Sequence, residues 1–160
     1  MTGLLGPTLE IRCAQYAHDC RLPASIDASS RHIMLHIGTL CGAITMPVEL
    51  GERVRDRVGS APIIEHARAR RWTFLTGHTG YGTTGSSPLS PADSAALFRL
   101  YVTTASTGSQ VVLPSPEDEH TGYRTWVQPP DTGAVRPPLA AVIAATRAAG
   151  GPGTGESRTH

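Results

Sequence analysis

The chain predicts an α+β domain: a mostly antiparallel sheet of five to seven strands with two or three packed helices. Three observations lead there. Short runs such as "APIIEH" and "RRWTFLTG" alternate with the period of a strand. Stretches with helical spacing and cap residues, such as "MPVELGERVRDRVG", lie among them. Finally, Gly 17 and Pro 13 in 160 residues place much of the chain in turns. That length predicts one domain with a modest core, over residues 31–149. Residues 1–30 read as an N-terminal arm with a weakly ordered start, and residues 150–160 as a disordered tail.

The elements follow in order. "EIRCAQYAHDCRLPASID" shows no clean period, and Pro23 and Asp27 end whatever it forms. "RHIMLHIGTLCGAITMP" reads as two strands, over 33–37 and 41–45, with a turn at Gly38-Thr39. A helix follows, with Pro47 at its first position, Glu49 and Glu52 early, and Gly59 past its end. Val48, Leu50, Val54 and Val58 form its apolar stripe. "APIIEH" and "RRWTFLTG" then make a hairpin through "ARAR", with Trp72 and Phe74 on one face and Thr73 and Leu75 on the other.

The glycine-rich stretch from Gly77 to Ser90 reads as a mobile surface loop or lid. Ser90 caps a short helix from Pro91, with Asp93 in its first turn. "FRLYVTT" reads as a strand, and "QVVLP" with "GYRTWVQP" as a strand pair. Residues 137–149 form a final helix, stopped by Gly150-Gly151. The expected core joins Leu50, Phe74, Val111 and Leu113 to Val54, Leu75, Leu100 and Val102. Leu139, Val142 and Ile143 of the last helix complete it.

Charge narrows the function classes. A net charge of +1 provides no general field for nucleic acid or an anionic membrane. All 14 basic residues are arginine, and with abundant Ala and Gly this points to a GC-rich coding genome. No apolar run nears the roughly 20 residues that span a bilayer, and "MTGLLGPTLEIRC" lacks the form of a signal peptide. A cytoplasmic protein is expected. Three cysteines, an odd number, agree with a reducing compartment.

Candidate chemistry is sparse. Glu117, Asp118, Glu119 and His120 could offer oxygen and imidazole ligands to a hard cation. They follow Pro116 and precede Gly122 in a connector, so a solvated hairpin loop is expected. Cys13, His18, Cys20 and Cys41 lack the close pairs of structural zinc, and the cysteines read as buried free thiols. "GHTGYGTTG" holds a G-x-G-x-x-G spacing from Gly80 to Gly85, but Ser-Ser-Pro follows instead of a helix. No lysine is present to complete a Walker A loop. No metal and no cofactor are therefore expected.

Residues 43–147, with "AITMPVELGERV", "APIIEHARARRWTFLTG", "GSQVVLPSPEDEHTGYRTWVQPP" and "VRPPLAAVIAATRAA", carry a resemblance. They resemble small stand-alone proteins of high-GC Gram-positive bacteria related to the N-terminal domain of bifunctional DNA primase/polymerases. The family's strand, Pro-Ser segment, Gly and Tyr-x-Trp strand fall here on Val111 to Ser115 and on Tyr123 to Trp126. Active members hold two divalent metals on a strand ending in Asp-x-Asp/Glu and contact the nucleotide with a histidine. The strands here carry no such acidic pair.

The resemblance thus implies the scaffold without the catalysis: a non-catalytic accessory or regulatory module that binds single-stranded nucleic acid or nucleotide. The residues nominated for that groove are Arg70, Arg71, Trp72, Arg124 and Trp126, since aromatics stack bases while guanidinium groups take phosphates. The opposing reading places both tryptophans in the core with arginine stems over its edge. The partner expected is single-stranded nucleic acid or a replication-related protein, and a small metal-dependent enzyme using Glu117 to His120 and a protein-interaction module are the other two functional readings.

Overall fold

The computed structural model describes residues 8–79, 89–133 and 135–151. The start of the arm, residues 80–88 of the glycine-rich stretch and residues 152–160 of the tail lie outside the described residues. The fold is α+β, and its strands form two antiparallel sheets. In the smaller, β1 (Ala24–Ile26), β2 (Ile33–His36) and β7 (Gln110–Leu113) run in that order. In the larger, the order is β6 (Thr103–Thr104), β3 (Gly42–Pro47), β5 (Arg71–Thr76), β4 (Ile63–His66) and β8 (Arg124–Gln128).

The helices are α1 (Leu9–Ala14), α2 (Val48–Val58), α3 (Pro91–Arg99), α4 (Pro116–Thr121) and α5 (Leu139–Gly150). A π turn over Gln15–Asp19 continues α1. Among the described residues, no helix is long and apolar enough to cross a membrane.

Alternation along β5 explains the layering. Trp72 and Phe74 enter a core with Leu50 and Val54 of α2, Leu97 of α3, and Leu139, Val142 and Ile143 of α5. Leu75, one step out of phase, enters a second core with Ile33, Leu35, Leu113, Tyr16 and Leu22 beneath the smaller sheet. Both faces of β5 are therefore covered, as its continuous burial shows. Phe74 and Leu75 are 0% exposed, and each such side chain contributes about 1.5–3 kcal/mol of burial. Leu100 and Val111, expected in the core, are only partly buried.

Helix α2 docks closely because residue 51 lacks a side chain. A Cβ on Gly51 would stand 2.7 Å from Cε3 of Trp72. Pro47 is the N-cap of α2, one position ahead of the place expected, and Gly59 takes φ 75° after its last turn.

Four expectations need correction. "QVVLP" and "GYRTWVQP" do not pair: β7 joins β2, whereas β8 joins β4 in the other sheet. The segment between them is not a hairpin loop either. Ser115 caps α4 by accepting from Asp118 N at 3.0 Å, and Asp118 Oδ2 accepts from Ser115 N at 3.3 Å. That reciprocal box fixes a helical turn where acids alone suggested solvent. "FRLYVTT" is mostly helix and turn, because the Ser90 cap starts α3 and its register runs through Arg99. The segment without a clean period, finally, is helical from Leu9 and buries Cys13 and Tyr16.

Candidate anion-binding face

The second core covers only part of its face of the larger sheet. Beyond it the same face carries polar residues on successive strands. Thr45 of β3 lies opposite Thr73 of β5 in the ladder, and His66 of β4 lies opposite both Arg71 of β5 and Arg124 of β8. Directly opposed residues on one face have Cβ atoms about 4.5–5.5 Å apart, so register alone brings the two guanidinium stems beside the imidazole.

Hydrogen bonds fix the row. Thr45 and Thr73 share a hydroxyl contact at 2.7 Å, and Thr73 Oγ1 lies 2.8 Å from His66 Nε2. Burial holds the His66 pKa below its ordinary 6.5, and the charges of Arg124 and Arg71 push it further the same way. Arg71 donates to Tyr101 O at 2.7 Å and to Thr45 O at 3.3 Å, which anchors its head at the sheet edge.

Arg124 donates through Nη1 to Asp118 Oδ2 at 2.6 Å, and its Nε is buried without a partner among the described residues. Tyr123 lies beside it, half exposed, with the Arg124 guanidinium 5.1 Å and the Arg68 guanidinium 5.9 Å from its ring centroid. A cleft of about 210 Å³ opens among His66, Arg68, Ala69, Tyr123 and Arg124.

Of the five nominated residues, Arg124 lines this cleft, and Arg71 shares its sheet face through register with His66 while its head turns to Thr45 O and Tyr101 O. Arg70 does neither: at φ 56° in the β4–β5 turn it reaches Glu49 at 3.4 Å in solvent. Trp72 lies on the opposite face, 5% exposed in the helix-covered core, with the Arg55 guanidinium 5.5 Å above its ring. Trp126 packs against the second core, edge-on to Tyr16 at 5.8 Å, and donates to the Tyr16 hydroxyl at 2.9 Å. The two indoles are thus on opposite sides of the sheet.

Sequence reasoning missed His66, Arg68 and Tyr123. The alternation of "IIEH" against "RRWTF" held the signal for His66, because pairing that hairpin through its turn sets His66 opposite Arg71.

The acidic segment is already engaged. Asp118 serves the Ser115 cap and Arg124, and Glu119 accepts from Arg12 at 2.7 Å. Glu117 and His120 are exposed. Among the described residues, no group of three or more His, Cys, Asp or Glu side chains converges in a way that could hold a metal ion. Cys13, Cys20 and Cys41 are free thiols, and burial raises the pKa of each. Comparison with protein-family models, curated proteins and solved structures gives no match to this chain.

Proposed function

We propose that this chain is a non-catalytic, primase/polymerase-like accessory module that binds single-stranded nucleic acid or nucleotide on the face around His66. One observation carries the reading: Arg71 and Arg124 flank His66 on adjacent strands, next to a half-exposed Tyr123 whose ring contacts two guanidinium groups.

The chemistry of such a face is phosphate capture. Guanidinium forks match phosphate oxygens, and Arg68 projects from an exposed turn residue where it can serve as one. An approaching phosphate favours the imidazolium form of His66, adding a third cation to the row. Tyr123 offers a ring on which a base stacks, a contact tolerant of sequence. The non-catalytic part of the reading rests on the acids: Asp118 and Glu119 each hold an arginine, so neither is poised to bridge a pair of cations.

Fluorescence anisotropy with a labelled oligo-dT strand tests the reading. Arg68→Ala should weaken binding and reduce the magnitude of the salt slope by about 0.7 for a lost phosphate contact. Tyr123→Ala should cost about 1–3 kcal/mol of binding, and affinity should rise as pH falls toward 5 and His66 gains its proton. No binding at low salt, or unchanged affinity in both variants, would sink the proposal. Metal-dependent primer synthesis above a no-protein control would overturn its non-catalytic part.

A further inference from the structure

At the other end of β5 from the basic row lies a larger cavity, of about 690 Å³. Its wall brings together the π turn after α1, the β2–β3 crossover and the segment ahead of α5. The ionisable residues lining it are His18, Arg21, His36, Cys41 and Arg136, and no carboxylate is among the described residues of the wall. Leu22 and Ile37 supply a buried apolar floor, and Leu40, 76% exposed, stands at the rim.

Backbone geometry places Arg21, and side-chain hydrogen bonds place Arg136 and His36. Arg21 has φ 57°, a left-handed conformation that costs a side-chain-bearing residue about 1 kcal/mol or more. The π turn feeds it, with Leu22 N bonded back to Tyr16 O at 3.0 Å. Such turns and left-handed non-glycine residues concentrate at functional positions. Arg136 donates through Nε to Thr76 O at 3.1 Å, and its positive charge offsets part of the rise that burial imposes on the Cys41 thiol. His36 is already held, by Ser25 Oγ at 2.6 Å and Gln110 Nε2 at 3.2 Å, so it shapes the wall.

We propose that this cavity binds a small amphipathic anion, a phosphate or carboxylate head on a hydrocarbon body. Its volume is that of a small-molecule site, which is typically about 300–1,000 Å³. The head pairs with Arg21 and Arg136, and the body lies on Leu22, Ile37 and Leu40. This site is separate from the His66 row and does not depend on it.

Calorimetric titration with phenyl phosphate and benzoate tests the proposal, with inorganic phosphate as head alone and benzyl alcohol as body alone. At least one amphipathic probe should bind about tenfold tighter than either fragment, and the tighter of the two identifies the head group. Amide shifts should cluster at residues 17–23, 36–41 and 136. Arg21→Gly, which suits φ 57°, should lose about tenfold in affinity at unchanged melting temperature. Arg136→Gln should lose as much; if that variant unfolds, Arg21→Gly decides. Equal affinity for phenyl phosphate, benzoate and their fragments, shifts centred on His66 and Arg71, or an unaltered Arg21→Gly would overturn it.

Discussion

Replacing Asp118 by alanine should destabilise the protein by about 3 kcal/mol, far more than a surface acid would. Its ion pair with Arg124 spans 2.6 Å, with the two side chains only 12% and 11% exposed. Removing one partner of a buried pair typically costs about 3–5 kcal/mol, because the other charge stays buried. Here Arg124 Nε already lacks a partner among the described residues, so its guanidinium cannot fall back on a second acceptor at that atom. The remaining exposure and the Tyr123 ring at 5.1 Å soften the loss, which sets the lower end of that range. Alanine also removes the acceptor for Ser115 N in the capping box, about 0.5 kcal/mol more.

For a chain of this size such a loss lowers the melting midpoint by about 6–12 °C. Urea titration followed by circular dichroism gives the free energy directly. Asp118→Asn keeps an acceptor and should lose about half as much. The double variant Asp118→Ala/Arg124→Met should return to within about 1 kcal/mol of the parent, a coupling of about 2 kcal/mol or more. A single-variant loss below about 0.5 kcal/mol, or strict additivity, would show that the pair behaves as a solvated surface bridge. In the nucleic-acid assay, Asp118→Asn frees the Arg124 charge and should steepen the salt dependence of oligo-dT binding.

Other outcomes follow from the same structure. His66 has a lowered pKa, so the unfolded chain takes up its proton first as pH falls. The His66 contribution is therefore present above about pH 6.5 and is lost as pH drops toward the folded value. His66→Gln should show a shallower fall in stability between about pH 7 and 5, measured by urea midpoints. Gly51→Ala should destabilise despite a helix-propensity gain of about 1 kcal/mol, since its Cβ would meet the Trp72 ring at 2.7 Å. A raised melting temperature would show that α2 can move away from the sheet. Tyr16→Phe strips a donor from Pro114 O at 2.6 Å and an acceptor from the Trp126 indole at 2.9 Å. It should cost about 2 kcal/mol in urea unfolding, with indole fluorescence as a local probe, and a neutral result would mean water replaces the hydroxyl.

What the sequence determined by itself was local. The alternation of Trp72 and Phe74 against Thr73 and Leu75, the Ser90 cap, and the glycine after Val58 depend on neighbours a few residues away, and all of them hold. The α+β class follows from those units. Only the tertiary structure decided how they pair. "QVVL" and "RTWVQ" both form strands, yet α4 turns the chain between them, and each completes a different sheet. Burial across those sheets then sent Trp72 and Trp126 to opposite faces. The row of Thr45, Thr73, His66, Arg71 and Arg124 draws on four strands, β3, β4, β5 and β8. Its members become neighbours only through long-range register, which is set by the area buried when the sheet closes rather than by the preference of any single segment.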